Sequence, residues 1–139
     1  MSQAAAKRQP ARPEVDLATR EAGQALLRTF FNIGEAWKLS PREAMTLLGL
    51  GSRSTFHVWK SGKSGPLPRD TLERISYVLG IYKALQMLLA SDEAADAWMR
   101  KPNAAPLFGG ASALDRLMSG NVSDLYEVRR YLDAQRGGD

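Results

Sequence analysis

The sequence has 139 residues, of which 44% are hydrophobic, 24% charged and 8% aromatic, a composition typical of one ordinary domain with a modest tail. The absence of cysteine excludes disulfides and thiolate sites, and the single histidine, His57, argues against a histidine-rich metal site or a catalytic triad. We therefore expect no catalytic residue, no metal site and no cofactor, and predict that the protein is not an enzyme.

Apolar stretches are too short for a membrane span, which takes roughly 18 residues. Residues 1–13 also lack the apolar region of a secretion signal,. The sequence therefore predicts a cytoplasmic protein that has no membrane partner.

Charge is distributed unevenly along the chain. The 19 basic residues outnumber the 15 acidic ones, and the basic excess lies in residues 1–13 and 36–66, whereas residues 91–139 carry more acids than bases. Residues 1–14, rich in alanine, glutamine and proline, are predicted to form a disordered basic arm. The split between a basic middle and an acidic end predicts two surfaces with different partners.

The first predicted helix begins near Val15. Its inner face is marked by apolar residues three or four positions apart: Ala22, Leu26, Phe30, Ile33 and Trp37,. The segment Ser40-Pro41-Arg42-Glu43 then predicts a capping box that opens a second helix, and Gly49 is suited to end that helix in the left-handed conformation.

Ser52 is placed to cap a third helix over Arg53–Lys60, in which Phe56 and Trp59 face inward. A long helix follows from Arg69 to about Ala90 and carries two apolar stripes. The first stripe consists of Leu72, Ile75, Leu79 and Tyr82. The second stripe consists of Val78, Ile81, Leu85 and Leu88. A helix that is apolar on two sides must be covered on both. We expect another subunit or the C-terminal region to cover the second stripe, with a fully intramolecular core as the alternative.

Three shorter helices are predicted to complete the chain, so the predicted fold class is all-α. The first starts at Ser91-Asp92-Glu93, carries Trp98 and stops at Pro102, and the second runs from Ser112 to Gly120. Asn121 or Ser123 caps the last helix, whose inner face is formed by Leu125, Val128 and Leu132.

The second and third helices, joined by a short glycine turn, have the pattern of a helix-turn-helix, whose second helix projects side chains into the major groove. The turn Gly49-Leu50-Gly51 is one residue longer than the commonest form. The candidate DNA contacts are polar or basic and lie on or just after the third helix: Arg53, Ser54, Thr55, His57, Lys60 and Lys63,. The alternative is a helical hairpin with a solvated basic face, in which His57 is an ordinary surface residue.

From Ser40 onward, four segments in order resemble the Xre/MbcA/ParS antitoxin family. They are Leu72-Glu73-Arg74-Ile75-Ser76-Tyr77-Val78-Leu79-Gly80-Ile81-Tyr82-Lys83-Ala84-Leu85, then Ala97-Trp98 with Pro102-Asn103, then Phe108-Gly109-Gly110-Ala111-Ser112-Ala113-Leu114, and Val128-Arg129-Arg130-Tyr131-Leu132-Asp133-Ala134. The resemblance implies an Xre-like helix-turn-helix domain, here residues 15–90, followed by a helical toxin-binding domain, here residues 91–139.

The same resemblance implies the partners. It implies a type II antitoxin that binds a RES-domain toxin, an enzyme that consumes NAD, and covers its NAD pocket with the C-terminal domain. It also implies a homodimer that binds operator DNA and represses its own operon. On this basis the expected toxin contacts are the residues at the end of the chain: Arg129, Arg130, Tyr131, Arg136, Gly137, Gly138 and Asp139.

The last three residues have a specific expected role in that complex. Two glycines would let the backbone enter a narrow cleft, and Asp139 would present carboxylates where NAD carries phosphates. The alternative is an ordinary frayed terminus.

Two other functions remain open at the level of sequence. One is a helix-turn-helix regulator whose C-terminal region dimerises or senses a ligand, and the other is a nucleotide-modifying enzyme. A RES-domain gene beside this one would discriminate among them.

Overall fold

The computed structural model describes residues 19–137, and it folds that range into seven α-helices without a β-strand. The helices are α1 Arg20–Ala36, α2 Pro41–Leu48, α3 Arg53–Lys60, α4 Arg69–Leu88, α5 Asp92–Trp98, α6 Ala113–Leu117 and α7 Val122–Gln135. The all-α prediction is confirmed, with a helix-turn-helix followed by further helices.

The first helix begins later than predicted. Thr19 has extended backbone angles (φ −76°, ψ 157°) and caps the helix with its side chain, which accepts from the amide of Ala22 at 3.1 Å. The start predicted near Val15 is therefore wrong, because periodicity shows a face and not a cap. The predicted arm, residues 1–14, lies outside the described residues.

Most helix starts follow the predicted caps. In α2 the Ser40 side chain accepts from the amide of Glu43, whose carboxylate accepts from the amide of Ser40 at 2.9 Å. The side chains of Ser52, Ser91 and Ser112 likewise accept from a backbone amide three residues on and cap α3, α5 and α6; of these three, only Ser112 also has the reciprocal bond, from its amide to Asp115. Asn121 stands at the N-cap of α7 but makes no side-chain cap bond.

Helix α4 lies at the centre of the fold and contacts α1, α2, α5 and α7. Its residues Val78, Ile81 and Leu85 are at most 1% exposed within the single chain. Cover of this part of the stripe by the C-terminal region is therefore confirmed. Leu88, the last residue of the stripe, stays half-buried, and contact of the stripe with another subunit stays a prediction. The cover is α7, whose Leu125, Val128 and Leu132 are buried in the same core.

Arg100 fastens the C-terminal helices to the corner between α1 and α2. Its guanidinium donates to the carbonyl oxygens of Trp37 and Lys38, at 3.1 and 2.7 Å, and to the carboxylate of Glu43 at 2.8 Å. Lys38 has a φ of 58°, which L residues adopt at a cost. One side chain thus holds both a strained corner and the capping box of α2.

Candidate nucleic-acid and protein interfaces

The turn between α2 and α3 requires glycine at position 49 for two reasons. Gly49 has a φ of 69°, and its amide donates to the carbonyls of Met45 and Thr46 to end α2. A Cβ at this position would also lie 2.6 Å from Nε of Arg74 on α4. Backbone conformation and close packing together fix the angle at which α3 leaves the turn.

Helix α3 is held by its inner face. Phe56 is 1% exposed and meets the ring of Phe31 edge-on at 5.7 Å, while Trp59 is half-buried. The Lys60 ammonium lies 5.9 Å from the centroid of the Phe31 ring, a weak cation–π contact at an exposed site. The helix is therefore fixed against α1 and presents its other face outward.

Most of the predicted DNA contacts lie on that outward face. Arg53, Ser54, His57 and Lys60 are exposed on α3, as is Lys63 in the loop that follows. Thr55 is half-buried, and its amide donates to the Ser52 cap. Five of the six side chains are thus open to solvent, and whether they contact DNA stays a prediction.

Val58 was missing from the set of candidate contacts although the helix spacing places it outward. It is 49% exposed, one of the large hydrophobic side chains that the described residues leave open. An apolar side chain on a recognition helix suits the methyl group of thymine. Its position beside His57 already indicates in the sequence that Val58 faces outward. A search restricted to polar and basic residues does not select it.

The predicted toxin contacts on α7 differ in what they touch. Arg130 is exposed, whereas Arg129 and Tyr131 are half-buried. The Arg129 side chain pairs with Asp133 at 3.2 Å and lies so close over Gly80 that a Cβ there would overlap its guanidinium. Arg129 therefore also joins α7 to α4.

Tyr131 belongs to an aromatic cluster with Trp98 of α5 and Phe108 of the following loop. Its ring lies 6.5 Å from that of Trp98 in a stacked arrangement and 5.2 Å from that of Phe108, edge-on. Arg116 holds this loop by donating to the carbonyl of Leu107 at 2.7 Å. The cluster fixes α7 against α5 while leaving part of Tyr131 accessible.

The end of α7 is exposed. Arg136 caps the helix, pairs with Asp133 at 3.3 Å, and is followed by Gly137 with a φ of 78°. The left-handed angle turns the chain away from the helix axis. Gly138 and Asp139 lie outside the described residues.

A second feature of this end is a shallow depression of mixed polar and apolar lining, here named the C-terminal groove, with a volume of about 180 Å³. It is lined by Leu85, Leu88, Leu89, Trp98, Tyr131, Leu132 and Gln135. Leu85 and Leu132 are buried, and the other apolar residues are half-exposed. Sequence periodicity placed Leu85, Leu88 and Leu132 on apolar helix faces and could not show that the packing leaves an opening.

A larger cavity of about 350 Å³ lies between α1 and α5. Its lining combines an apolar wall with charged groups: Ala36, Trp37, Lys38, Glu93, Asp96, Ala97 and Arg100. Arg100 at its edge is the same residue that holds the α1–α2 corner.

Metal and membrane chemistry find no support in the part of the chain that the structure describes. Residues 19–137 contain no cluster of three or more side chains that could hold a metal ion. Nor does any helix there have the length and apolarity needed to cross a lipid bilayer.

Comparisons with known proteins match two successive parts of the chain. The profile of the antitoxin Xre-like helix-turn-helix domain matches residues 16–80, and that of the antitoxin Xre/MbcA/ParS C-terminal toxin-binding domain matches residues 84–138. The chain is also 52% identical over 114 residues to the uncharacterized protein y4oB of Sinorhizobium fredii (strain NBRC 101917 / NGR234), covering 82% of this chain and 86% of that protein. With both domains matched in order, the chain belongs to the Xre/MbcA/ParS family of antitoxins.

Proposed function

We propose that this protein is a type II antitoxin that neutralises a RES-domain, NAD-consuming toxin and represses its own operon. The observation that carries the proposal is the succession of an Xre-like helix-turn-helix and a toxin-binding domain in one chain. Both proposed activities are binding and not catalysis. We assign DNA binding to residues 15–90, toxin binding to residues 91–139, and a basic arm to residues 1–14.

The proposed DNA contacts are the outward residues of α3 and the loop after it. No acidic residue occurs between Glu43 and Asp70, so phosphates meet no repulsion from this stretch of the chain. Arg53, at the start of α3, is suited to guanine, and Lys60 and Lys63 are suited to phosphate. Ser54, Thr55 and His57 add polar contacts, and Val58 adds an apolar one.

Operator binding is proposed to involve a homodimer that reads an inverted repeat, because one recognition helix spans only a half-site. Because Val78, Ile81 and Leu85 are buried within one chain, we expect the subunit contact to use other residues. Footprinting that shows a single unrepeated site would contradict the dimer.

Toxin neutralisation is proposed to use the end of α7 and the residues beyond it. A pocket that binds NAD must accommodate a pyrophosphate, so it favours an anionic, unbulky segment. Gly137 and Gly138 provide a backbone without side chains, and Asp139 provides the anionic group. Arg129, Arg130, Tyr131 and Arg136 would then contact the rim of the toxin.

Co-expression tests this function. The RES-domain protein encoded beside this gene is expressed alone and together with the antitoxin, and growth and cellular NAD are measured. We expect NAD to fall with the toxin alone and to be restored with the antitoxin. Unchanged NAD depletion in the presence of soluble antitoxin would contradict the proposal.

A ligand-sensing regulator is a second candidate because of the cavity between α1 and α5. Its volume of about 350 Å³ falls within the usual range for small-molecule sites, roughly 300–1,000 Å³. Such a regulator would bind its operator with an affinity that changes on addition of a metabolite and would leave cellular NAD unaffected. Operator affinity measured with and without a cell extract depleted of protein discriminates the two functions.

A further inference from the structure

We propose that the C-terminal groove receives one large apolar side chain of the toxin and anchors the complex beside the chain end. This inference rests on the proposed function and adds to it a specific docking site. Every residue that lines the groove, from Leu85 to Gln135, lies within the range 84–138 matched by the toxin-binding domain.

The size of the groove indicates a side chain and not a free metabolite. Its volume of about 180 Å³ is below the range of roughly 300–1,000 Å³ that is usual for small-molecule sites. An apolar side chain of leucine or phenylalanine type needs less room and would displace water from the same walls.

The groove combines large apolar and aromatic side chains with polar atoms. Leu88, Leu89, Trp98 and Tyr131 are half-exposed around a buried floor, and the amide side chain of Gln135 stands at the rim. Large aromatic residues in well-packed apolar depressions carry much of the binding energy in protein complexes. The aromatic cluster with Phe108 holds Trp98 and Tyr131 in place, so little ordering is needed on binding.

The position of the groove identifies the toxin as its occupant. Gln135 immediately precedes Arg136 and Gly137, where the chain leaves α7. If a cleft of the toxin receives the residues after Gln135, the toxin surface beside that cleft lies against the groove. The anchor and the chain end form one continuous contact.

Two variants test the groove, each with a control at the adjacent residue. Leu88→Asp places a charge in the groove, and Met87→Asp places the same charge at a position that is 59% exposed and does not line it. Gln135→Trp fills the groove from its rim, and Ala134→Trp adds the same bulk at an exposed position outside it. Because residues 134 and 135 are both exposed, these two variants are expected to fold.

Affinity for the purified RES-domain protein encoded beside this gene is measured by calorimetry, and the folding of each variant is checked by thermal unfolding. We expect Leu88→Asp and Gln135→Trp to weaken binding by about thirtyfold or more and the controls to bind as the unaltered protein does. If folded Gln135→Trp binds the toxin as tightly as the unaltered protein does, the proposed role of the groove is wrong, whereas the proposed antitoxin function is unaffected. Failure of the unaltered protein to bind would overturn both.

Discussion

At the scale of single residues, Gly49 shows how one position constrains the turn between α2 and α3. We expect Gly49→Ala to lower the free energy of unfolding by about 1–3 kcal/mol, because an L residue in the left-handed region is strained and the new Cβ must displace Arg74. Chemical denaturation checks this change. The control is Gly51→Ala in the same turn, where a Cβ meets nothing within 4 Å; an equal loss for both variants would refute the specific role of Gly49.

Arg53 is the residue on which sequence recognition is expected to depend most. Arg53→Ala should weaken operator binding by about 1–3 kcal/mol if the side chain pairs with a guanine edge, and by less, with a shallower salt dependence, if it meets a phosphate. A titration of the operator fragment at several salt concentrations measures both. Arg130→Ala, an exposed arginine on α7, should leave the affinity unchanged, and an unaltered affinity for Arg53→Ala would remove that residue from the interface.

Local residue patterns could be predicted well from the sequence, and long-range contacts could not. The capping box of Ser40 and Glu43 depends on residues three positions apart, so the sequence carries the whole signal. The ion pair of Arg100 with Glu43 joins residues 57 positions apart, and only the packing of α5 against α1 brings them together. The same holds for Arg129 over Gly80.

At the scale of elements, the contact made by Arg100 couples the C-terminal helices to the helix-turn-helix. Arg100→Ala should lower the free energy of unfolding by about 1–2 kcal/mol, because two carbonyls and a carboxylate lose their donor at a partly solvated site. Thermal or urea denaturation provides the measurement. Lys101→Ala, an exposed neighbour, serves as the control, and an equal change in the two variants would show that the contact contributes nothing specific.

The same contact predicts a pH dependence. The hydrogen bond from Arg100 is the main cause that lowers the pKa of Glu43 in the folded protein below its usual 4.5, with a further bond from the Ser40 amide, although partial burial opposes it. A lowered folded pKa stabilises the protein above the unfolded value, and this stability is lost as the pH falls through the folded value. We expect Glu43→Gln to remove the part of the acid-induced loss of stability that Glu43 causes below pH 4.5.

Unfolding free energies measured against pH for the unaltered protein and for Glu43→Gln test this. In an Arg100→Ala background, Glu43→Gln should have a smaller effect, since the two residues act as a pair. If the free energy of unfolding falls equally with decreasing pH in the unaltered protein and in Glu43→Gln, Glu43 is not a cause of the acid-induced loss.

The long helix α4 shows the limit of periodicity at this scale. Its two apolar stripes predicted cover on both sides, and each contains buried residues, Ile75 on the first and Val78, Ile81 and Leu85 on the second. Periodicity could not choose between a second subunit and α7 as the cover, because the stripe of Val78, Ile81 and Leu85 would be apolar in either case. Because these residues are buried within one chain, α7 is their cover.

At the scale of the whole molecule, helix α4 connects the proposed DNA surface with the proposed toxin surface. Helix α4 contacts α1 and α2 of the helix-turn-helix and also α5 and α7 of the toxin-binding region. The predicted charge split follows this arrangement, with the basic excess around α3 and the acidic residues in the last helices. The order of the helices was readable from the sequence, but the groove between α4, α5 and α7 exists only after they pack.

We propose that the DNA surface and the toxin surface act through different residues. The most direct measurement compares Arg53→Ala with a variant that lacks residues 136–139, recording for each the operator affinity of the free antitoxin and the protection of cells that express the neighbouring RES-domain toxin. We predict that Arg53→Ala loses operator affinity and still protects, while the shortened chain binds the operator normally and no longer protects. A shortened chain that protects fully would contradict the role of the chain end, and loss of both activities in both folded variants would contradict the separation of the two surfaces.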